Sequence, residues 1–221
     1  MIKGVIFDFD GVIVDSEYIS YECYRDFLEN YNISFSKDDY IEHCPGKILV
    51  TTMNFFKKHY NLEYDIDSAC AFFREREQYY VDKDGVALKA GIKDLMNYLK
   101  NKDIYICLAT SSVKKRALTI LNEHKLTGYF DDFVFGDEVE RSKPFPDVFL
   151  TACKKISINP DEALVIEDSE AGIEAAHNAK ISVICIPDMK QPDHEHCLLA
   201  TKIYPDLSCV KDYIEQVNGN G

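Results

Sequence analysis

The amino-acid sequence predicts an α/β protein: a doubly wound parallel sheet with an α-helical domain inserted behind its first strand. Short apolar runs at 4–9, 104–109, 133–135, 163–166 and 182–186 alternate with segments of helical period. The runs are continuous rather than alternating, as strands covered by helices on both faces require. Between about residues 15 and 81 the helical periods continue with no convincing strand, which marks the insertion.

Taken in order, the first run ends at Asp8-Phe9-Asp10-Gly11, a polar turn. The insertion offers three apolar helix faces. They are Tyr21, Tyr24, Leu28 and Tyr31, then Leu49, Thr52, Met53, Phe56 and Tyr60, then Ala69, Phe72, Phe73 and Tyr80. The turn at Asp15 and Ser16 leads in and the polar stretch 82–85 leads out, so the expected division is 16–82 for the helical domain and 1–15 with 83–221 for the α/β core. An insertion at that point is expected to hang over the carboxyl ends of the strands, where open α/β sheets bind ligands. Ile92, Leu95, Met96 and Leu99 mark a helix of the core, and the tail from Gln216 is expected to fray.

Composition narrows the function. With 221 residues, 46% hydrophobic and 29% charged, the chain is a globular body able to bury a core, which excludes a disordered or fibrous protein. Its net charge of −13 repels nucleic-acid backbones and anionic membranes, so neither is expected as a partner; a monomer or weak oligomer is the default expectation, since the sequence carries no signal of oligomeric state. A phosphate site must then be locally positive. The eight cysteines form no C-x-x-C pair and read as scattered thiols of a reducing compartment, the cytoplasm. Asp8 and Asp10 interrupt the apolar N-terminus at once, which is unlike a signal peptide, and no apolar run approaches the ~18 residues of a membrane span.

Two acidic pairs close two of the strands: Asp8 with Asp10, and Glu167 with Asp168 after Leu164-Val165-Ile166. Four acids at one sheet edge are costly unless a divalent cation neutralises them, and hard oxygen ligands favour Mg²⁺. The run 104–109 ends in Thr110-Ser111-Ser112, whose hydroxyls and helix-start amides suit an anion. After the run 133–135 comes Arg141-Ser142-Lys143-Pro144, in which Lys143 offers a point positive charge. Separately, each reads more simply as a helix cap or a solvated lysine; their order along the chain is what carries weight.

The segments DFDGVIVDSE at 8–17, LATSS at 108–112, SKPFPD at 142–147 and IEDSEAGIEAA at 166–176 resemble, in content and order, the motifs of the haloacid dehalogenase-like superfamily. Within it they are most similar to the β-phosphoglucomutase-like phosphatases, which carry a helical cap after the first strand. The resemblance implies a Rossmann-like core, a nucleophilic aspartate at Asp8, an acid/base aspartate at Asp10, and phosphoryl binding by Thr110 and Ser111. It further implies a charge-balancing Lys143, Mg²⁺ held by Asp8, Asp168 and the Asp10 backbone carbonyl, and Glu167 behind them. The expected function is Mg²⁺-dependent hydrolysis of a small phosphorylated metabolite through an aspartyl phosphate. Chemistry supports the same roles: a carboxylate attacks an anionic phosphoryl group only when their repulsion is removed.

Rival readings differ at named residues. The family's mutases carry a His on the first cap helix and an Arg shortly after a cap Gly; here Ser20 and the stretch Lys47-Ile48-Leu49 after Gly46 stand there, which favours hydrolysis. Ser20, Gly46 and Lys47 are the candidate substrate contacts of the cap, while Tyr24 fits its core. A dehalogenase needs no Mg²⁺ and would leave Asp10 and Asp168 without a counter-charge. A phosphoacceptor signalling domain has no second aspartate two residues past the acceptor, and an inactive binding domain would have lost part of the set. His194, His196 and Cys197 are expected to be solvated loop residues, since no second half of a metal site accompanies them.

Overall fold

The run Gly4–Phe7 forms β1, buried along its whole length at the centre of the sheet. The computed structural model describes residues 1–45 and 47–219. The other strands are β2 (Tyr105–Ala109), β3 (Asp132–Val134), β4 (Ala163–Glu167), β5 (Ser182–Cys185) and β6 (Lys202–Ile203). They lie in the order β3-β2-β1-β4-β5-β6, every pair parallel. This is the Rossmann-like doubly wound sheet, and its order reverses between β1 and β4. The crevice beyond the carboxyl ends of those two strands is therefore the place where such sheets bind ligands. Register brings their ends level: Phe7 pairs with Leu108 on one side and Ile166 on the other, so Asp8, Thr110 and Glu167 emerge at one edge.

The chain forms two compact units, 1–14 with 88 onward, and Asp15–Ala87. The second is wholly helical: α1 (Glu17–Glu29), α2 (Lys37–His43), α3 (Leu49–His59) and α4 (Ile66–Asp84). Its core is aromatic. Tyr24 lies 4.6 Å from Phe73 and 5.4 Å from Phe56, and Phe35 lies 5.3 Å from Phe56, between ring centroids. Burying each such ring contributes about 1.5–3 kcal/mol. In the first unit α5 (Ile92–Asn101), α6 (Lys114–Glu123), α7 (Asp147–Lys155), α8 (Glu170–Asn178), α9 (His194–Leu199) and α10 (Ser208–Gly219) complete the chain. α7 and α8 pack Phe149, Ala152, Ile173 and Ala176 onto Ile6, Val165 and Val183 of the sheet.

The structure departs from the sequence reading at several places, each with a physical cause. The first strand stops at Phe7 rather than Phe9, because Gly11 takes φ +79° and the chain turns back, Val14 N donating to Phe9 O. α2 is an extra helix, started by a capping box in which Ser36 and Asp39 satisfy each other's backbone. The stretch 82–85 does not lead out of the helical unit: α4 runs on to Asp84, Gly85 closes it, and the crossing falls at 87–88. The tail is not frayed as far as Asn218, whose amide bonds both the N–H and the carbonyl of Ile2 at 2.7 and 3.1 Å. β6 was not foreseen, its two residues being exposed and offering no apolar run. No helix among the described residues is long and apolar enough to cross a membrane.

Candidate active site

Asp8 follows β1 directly, its N–H still donating to Ile166 O at 3.0 Å, so its side chain is fixed at the sheet edge and is buried. Lys143, from the loop after β3, reaches this point with its side chain only 7% exposed. Its Nζ donates to Asp8 Oδ1 at 2.6 Å and to Glu167 Oε1 at 2.5 Å. The other Glu167 oxygen, Oε2, accepts from Asp168 N at 2.8 Å and from Ser169 N and Ser169 Oγ at 2.9 Å each. Both oxygens of this buried carboxylate are thus filled by donors. Gly172 makes room for it, since a Cβ there would lie 1.9 Å from Glu167 Cδ.

These contacts set the local charge. Burial pushes the Asp8 carboxyl up to about 7; the Lys143 ammonium opposes the rise, while Glu167 and Asp10 add to it. Burial works on Glu167 in the same sense, yet Lys143 and the hydrogen bonds from Ser169 outweigh it and hold this carboxyl below its ordinary range. The two acids diverge because Glu167 has three donors besides Lys143. Burial would lower the Lys143 ammonium, but the charges of Asp8 and Glu167 prevail and raise it. The lysine is a fixed positive charge in an otherwise acidic protein.

Asp168 completes the group: Asp8, Glu167 and Asp168 each offer an oxygen, all within 4.8 Å of one another. The backbone at Gly11 is pressed against Asp168, where a Cβ would stand 2.3 Å from Oδ2. Hard carboxylate oxygens closely packed with backbone match the donors that Mg²⁺ prefers. Since Glu167 is already saturated, Asp8 and Asp168 are the side chains that fit the ion.

The Asp10 side chain turns to different partners. Arg116 Nη1 donates to Asp10 Oδ1 and Oδ2 at 2.9 and 3.0 Å, and Ser112 Oγ donates to Oδ2 at 2.6 Å. Thr110 is buried at the end of β2, its N–H donating to Val134 O and its Oγ1 accepting from Ser112 N at 2.9 Å. Ser111 is exposed, with its carbonyl packed where a Cβ on Gly136 would lie 2.2 Å away. Sequence reading does not single out Arg116 or Ser169, and Ser112, expected with its neighbours to suit an anion, donates to Asp10 instead. Ser169 had a legible signal as the N-cap of α8, its hydroxyl accepting from Gly172 N. Arg116 had none, standing after Lys114 and Lys115 in a run that reads as a solvated helix start.

Of the candidate cap residues, Ser20 lies half-buried on α1, and Lys47 is exposed with Nζ 4.9 Å from the Phe55 ring centroid. Gly46 lies outside the described residues. The segment expected to be a loop at His194, His196 and Cys197 is α9, capped by Asp193, which accepts from His196 N at 2.9 Å. Glu170, Asp193 and His196 do gather there, but capping, His196 Nδ1 at 2.7 Å from Asp193 Oδ1, and the Lys190 ion pair to Glu170 at 3.0 Å account for their approach.

Strand order and gathered acids place the chain among the Rossmann-like α/β enzymes that work with carboxylates at the switch point of the sheet. Residues 5–186 match the family described as haloacid dehalogenase-like hydrolases. A phosphorylated carbohydrates phosphatase of Thermotoga maritima is 31% identical over 191 residues, covering 82% of this chain and 83% of that one. The (DL)-glycerol-3-phosphatase 1 of Arabidopsis thaliana is 31% identical over 213 residues, 93% of this chain and 70% of its own. The crystal structure of a putative β-phosphoglucomutase from Thermotoga maritima superposes with a TM-score of 0.81 at 26% identity, over 98% of this chain and all of that one. The chain belongs to the haloacid dehalogenase-like family and is a phosphoric monoester hydrolase of its β-phosphoglucomutase-like branch.

Proposed function

We propose that this enzyme is a Mg²⁺-dependent phosphatase of small phosphomonoesters, sugar phosphates or similar metabolites, and that it works through an aspartyl phosphate on Asp8. The observation that carries the reading is the buried Lys143 ammonium bonded at once to Asp8 and Glu167, with Asp168 beside them. Mg²⁺, held by Asp8, Asp168 and the Asp10 backbone carbonyl, would screen the charge of the phosphoryl group when bound.

The chain's own groups do the rest. Lys143 adds a fixed positive charge and keeps Asp8 aimed, while Thr110 and Ser111 hold phosphoryl oxygens. An Asp8 oxygen attacks phosphorus, the bond to the leaving oxygen breaks, and Asp10 supplies the proton that the leaving alkoxide needs. Water then attacks the aspartyl phosphate, Asp10 takes its proton, and the bond to Asp8 breaks to release inorganic phosphate. The likeness to a phosphorylated carbohydrates phosphatase and to a glycerol-3-phosphatase supports a small polyol or sugar ester. Ser20 and Lys47 in place of the mutase His and Arg support hydrolysis over isomerisation. All eight cysteines are free thiols, six of them buried, which supports a reducing compartment such as the cytoplasm.

The test is phosphate release by the purified chain from a panel of small phosphomonoesters, with Mg²⁺ and with EDTA. Release that needs Mg²⁺ and disappears in Asp8→Asn is expected. Undiminished release in EDTA, or an isomerised phosphate as the main product, would overturn the reading; preference for a protein or nucleic-acid phosphate would remove the substrate class.

A further inference from the structure

We propose that Arg116 is a positioning residue for Asp10: with Ser112 it holds the Asp10 carboxylate in one orientation before any substrate arrives. The proposal rests on the acid/base role given to Asp10 above. Three groups form a closed triangle. Arg116 Nη1 donates to both Asp10 oxygens at 2.9 and 3.0 Å and to Ser112 Oγ at 2.9 Å, and Ser112 Oγ donates to Asp10 Oδ2 at 2.6 Å. Ser112 lies two residues before α6 and Arg116 in its first turn, so the entry into that helix brings both donors to Asp10. The guanidinium carbon lies 5.9 Å from the ring centroid of Phe9, which is fully buried next to Asp10 in the chain. The triangle is therefore anchored from both sides, and all its members belong to the α/β unit.

The chemistry explains why such a clamp matters. Asp10 is 34% exposed, and an aspartate left to rotate there would spend much of its time turned to water. Acid/base catalysis requires the carboxyl within hydrogen-bond reach of the proton in both half-reactions, and a side chain already held by its neighbours has less freedom to lose in reaching that position. Loss of the clamp removes part of the ~10²–10⁴-fold that a positioned acid/base group supplies. A fall in kcat of about 10-fold is expected, with KM nearly unchanged.

The experiment compares Arg116→Ala and Arg116→Lys, each also in an Asp10→Asn background, on two substrates. One is p-nitrophenyl phosphate, whose leaving group needs no proton; the other is the alkyl phosphomonoester turned over fastest in the panel. Arg116→Ala should retain the first burst of p-nitrophenolate, slow the turnover that follows, and slow both steps on the alkyl ester. Arg116→Lys should recover most of the loss, because the three bonds of the triangle that Arg116 makes all come from Nη1, a point donor that an ammonium can replace. In the Asp10→Asn background Arg116→Ala should change nothing further. A raised KM at unchanged kcat would make Arg116 a substrate contact, and a loss that persists in Asp10→Asn would place its effect elsewhere; either overturns the proposal, as does parental kcat in Arg116→Ala. Should Arg116→Ala fail to fold, Ser112→Ala removes the other donor and carries the same comparison. Parental activity in Asp10→Asn alone would overturn the acid/base reading instead.

Discussion

Glu167→Gln is the most informative perturbation of the site's framework. The native carboxylate is fully buried and accepts four hydrogen bonds, one from Lys143 Nζ and three from Asp168 N, Ser169 N and Ser169 Oγ. A glutamine keeps one oxygen and turns an NH₂ donor towards the remaining donors. If the oxygen faces Lys143, the NH₂ confronts two backbone N–H groups; if it is reversed, the NH₂ confronts the ammonium. Each charge-assisted bond lost costs about 1.5–3 kcal/mol, and removing one member of a buried ion pair costs about 3–5 kcal/mol. Taking the latter range, with about 2–4 °C per kcal/mol for a chain of this size, Tm should fall by about 6–20 °C. Thermal unfolding followed by circular dichroism in EDTA reads this directly. Lys143→Met breaks the same pair, so the two losses should combine less than additively. A drop of less than about 2 °C in Glu167→Gln would refute the view that this buried hub organises the site.

Three further outcomes are expected. Asp8→Asn should abolish turnover while urea unfolding stays within about 1 kcal/mol of the parent, because the amide oxygen can still accept from Lys143; a larger loss of stability would mean that Asp8 is chiefly structural. Gly11→Ala should weaken Mg²⁺ binding, by about 10-fold in a calorimetric titration, since the new Cβ collides with Asp168 Oδ2 and the residue sits at φ +79°; unaltered affinity would remove Asp168 from the ion's ligands. In the helical unit, burial tends to raise the Asp26 carboxyl, but hydrogen bonds from Tyr80, Arg25 and Arg76 hold it below its ordinary value. Its contribution is therefore present above the unfolded-state value of about 4 and is lost as pH falls through the lower folded value. Asp26→Asn should cost about 1–2 kcal/mol at pH 7 and progressively less in stronger acid, and a difference that does not change with pH would contradict the linkage.

Much of the architecture was legible because strands buried on both faces must be continuously apolar. Val5-Ile6-Phe7, Ile106-Cys107-Leu108 and Leu164-Val165-Ile166 have that character, and each became a strand of the sheet. The acids that end these runs were equally visible, since Asp8, Glu167 and Asp168 break the apolar pattern abruptly. Less visible were features whose partners lie far along the chain. The Asn218 anchor on Ile2 spans 216 positions, and nothing in a polar tail announces it. The capping box of α2, by contrast, is a local signal that was present and passed over.

By itself the sequence determined the central strands, the longer helices and which strand ends carry carboxylates, because periodicity and turn chemistry act between neighbours. Only the tertiary structure decided that β1 lies beside β4, that Lys143 sits between Asp8 and Glu167, and that Arg116 turns to Asp10 rather than to solvent. Those choices are made by register and by the pairing of charges that lie from 24 to 135 positions apart in the chain, and a pattern of neighbours holds no record of either.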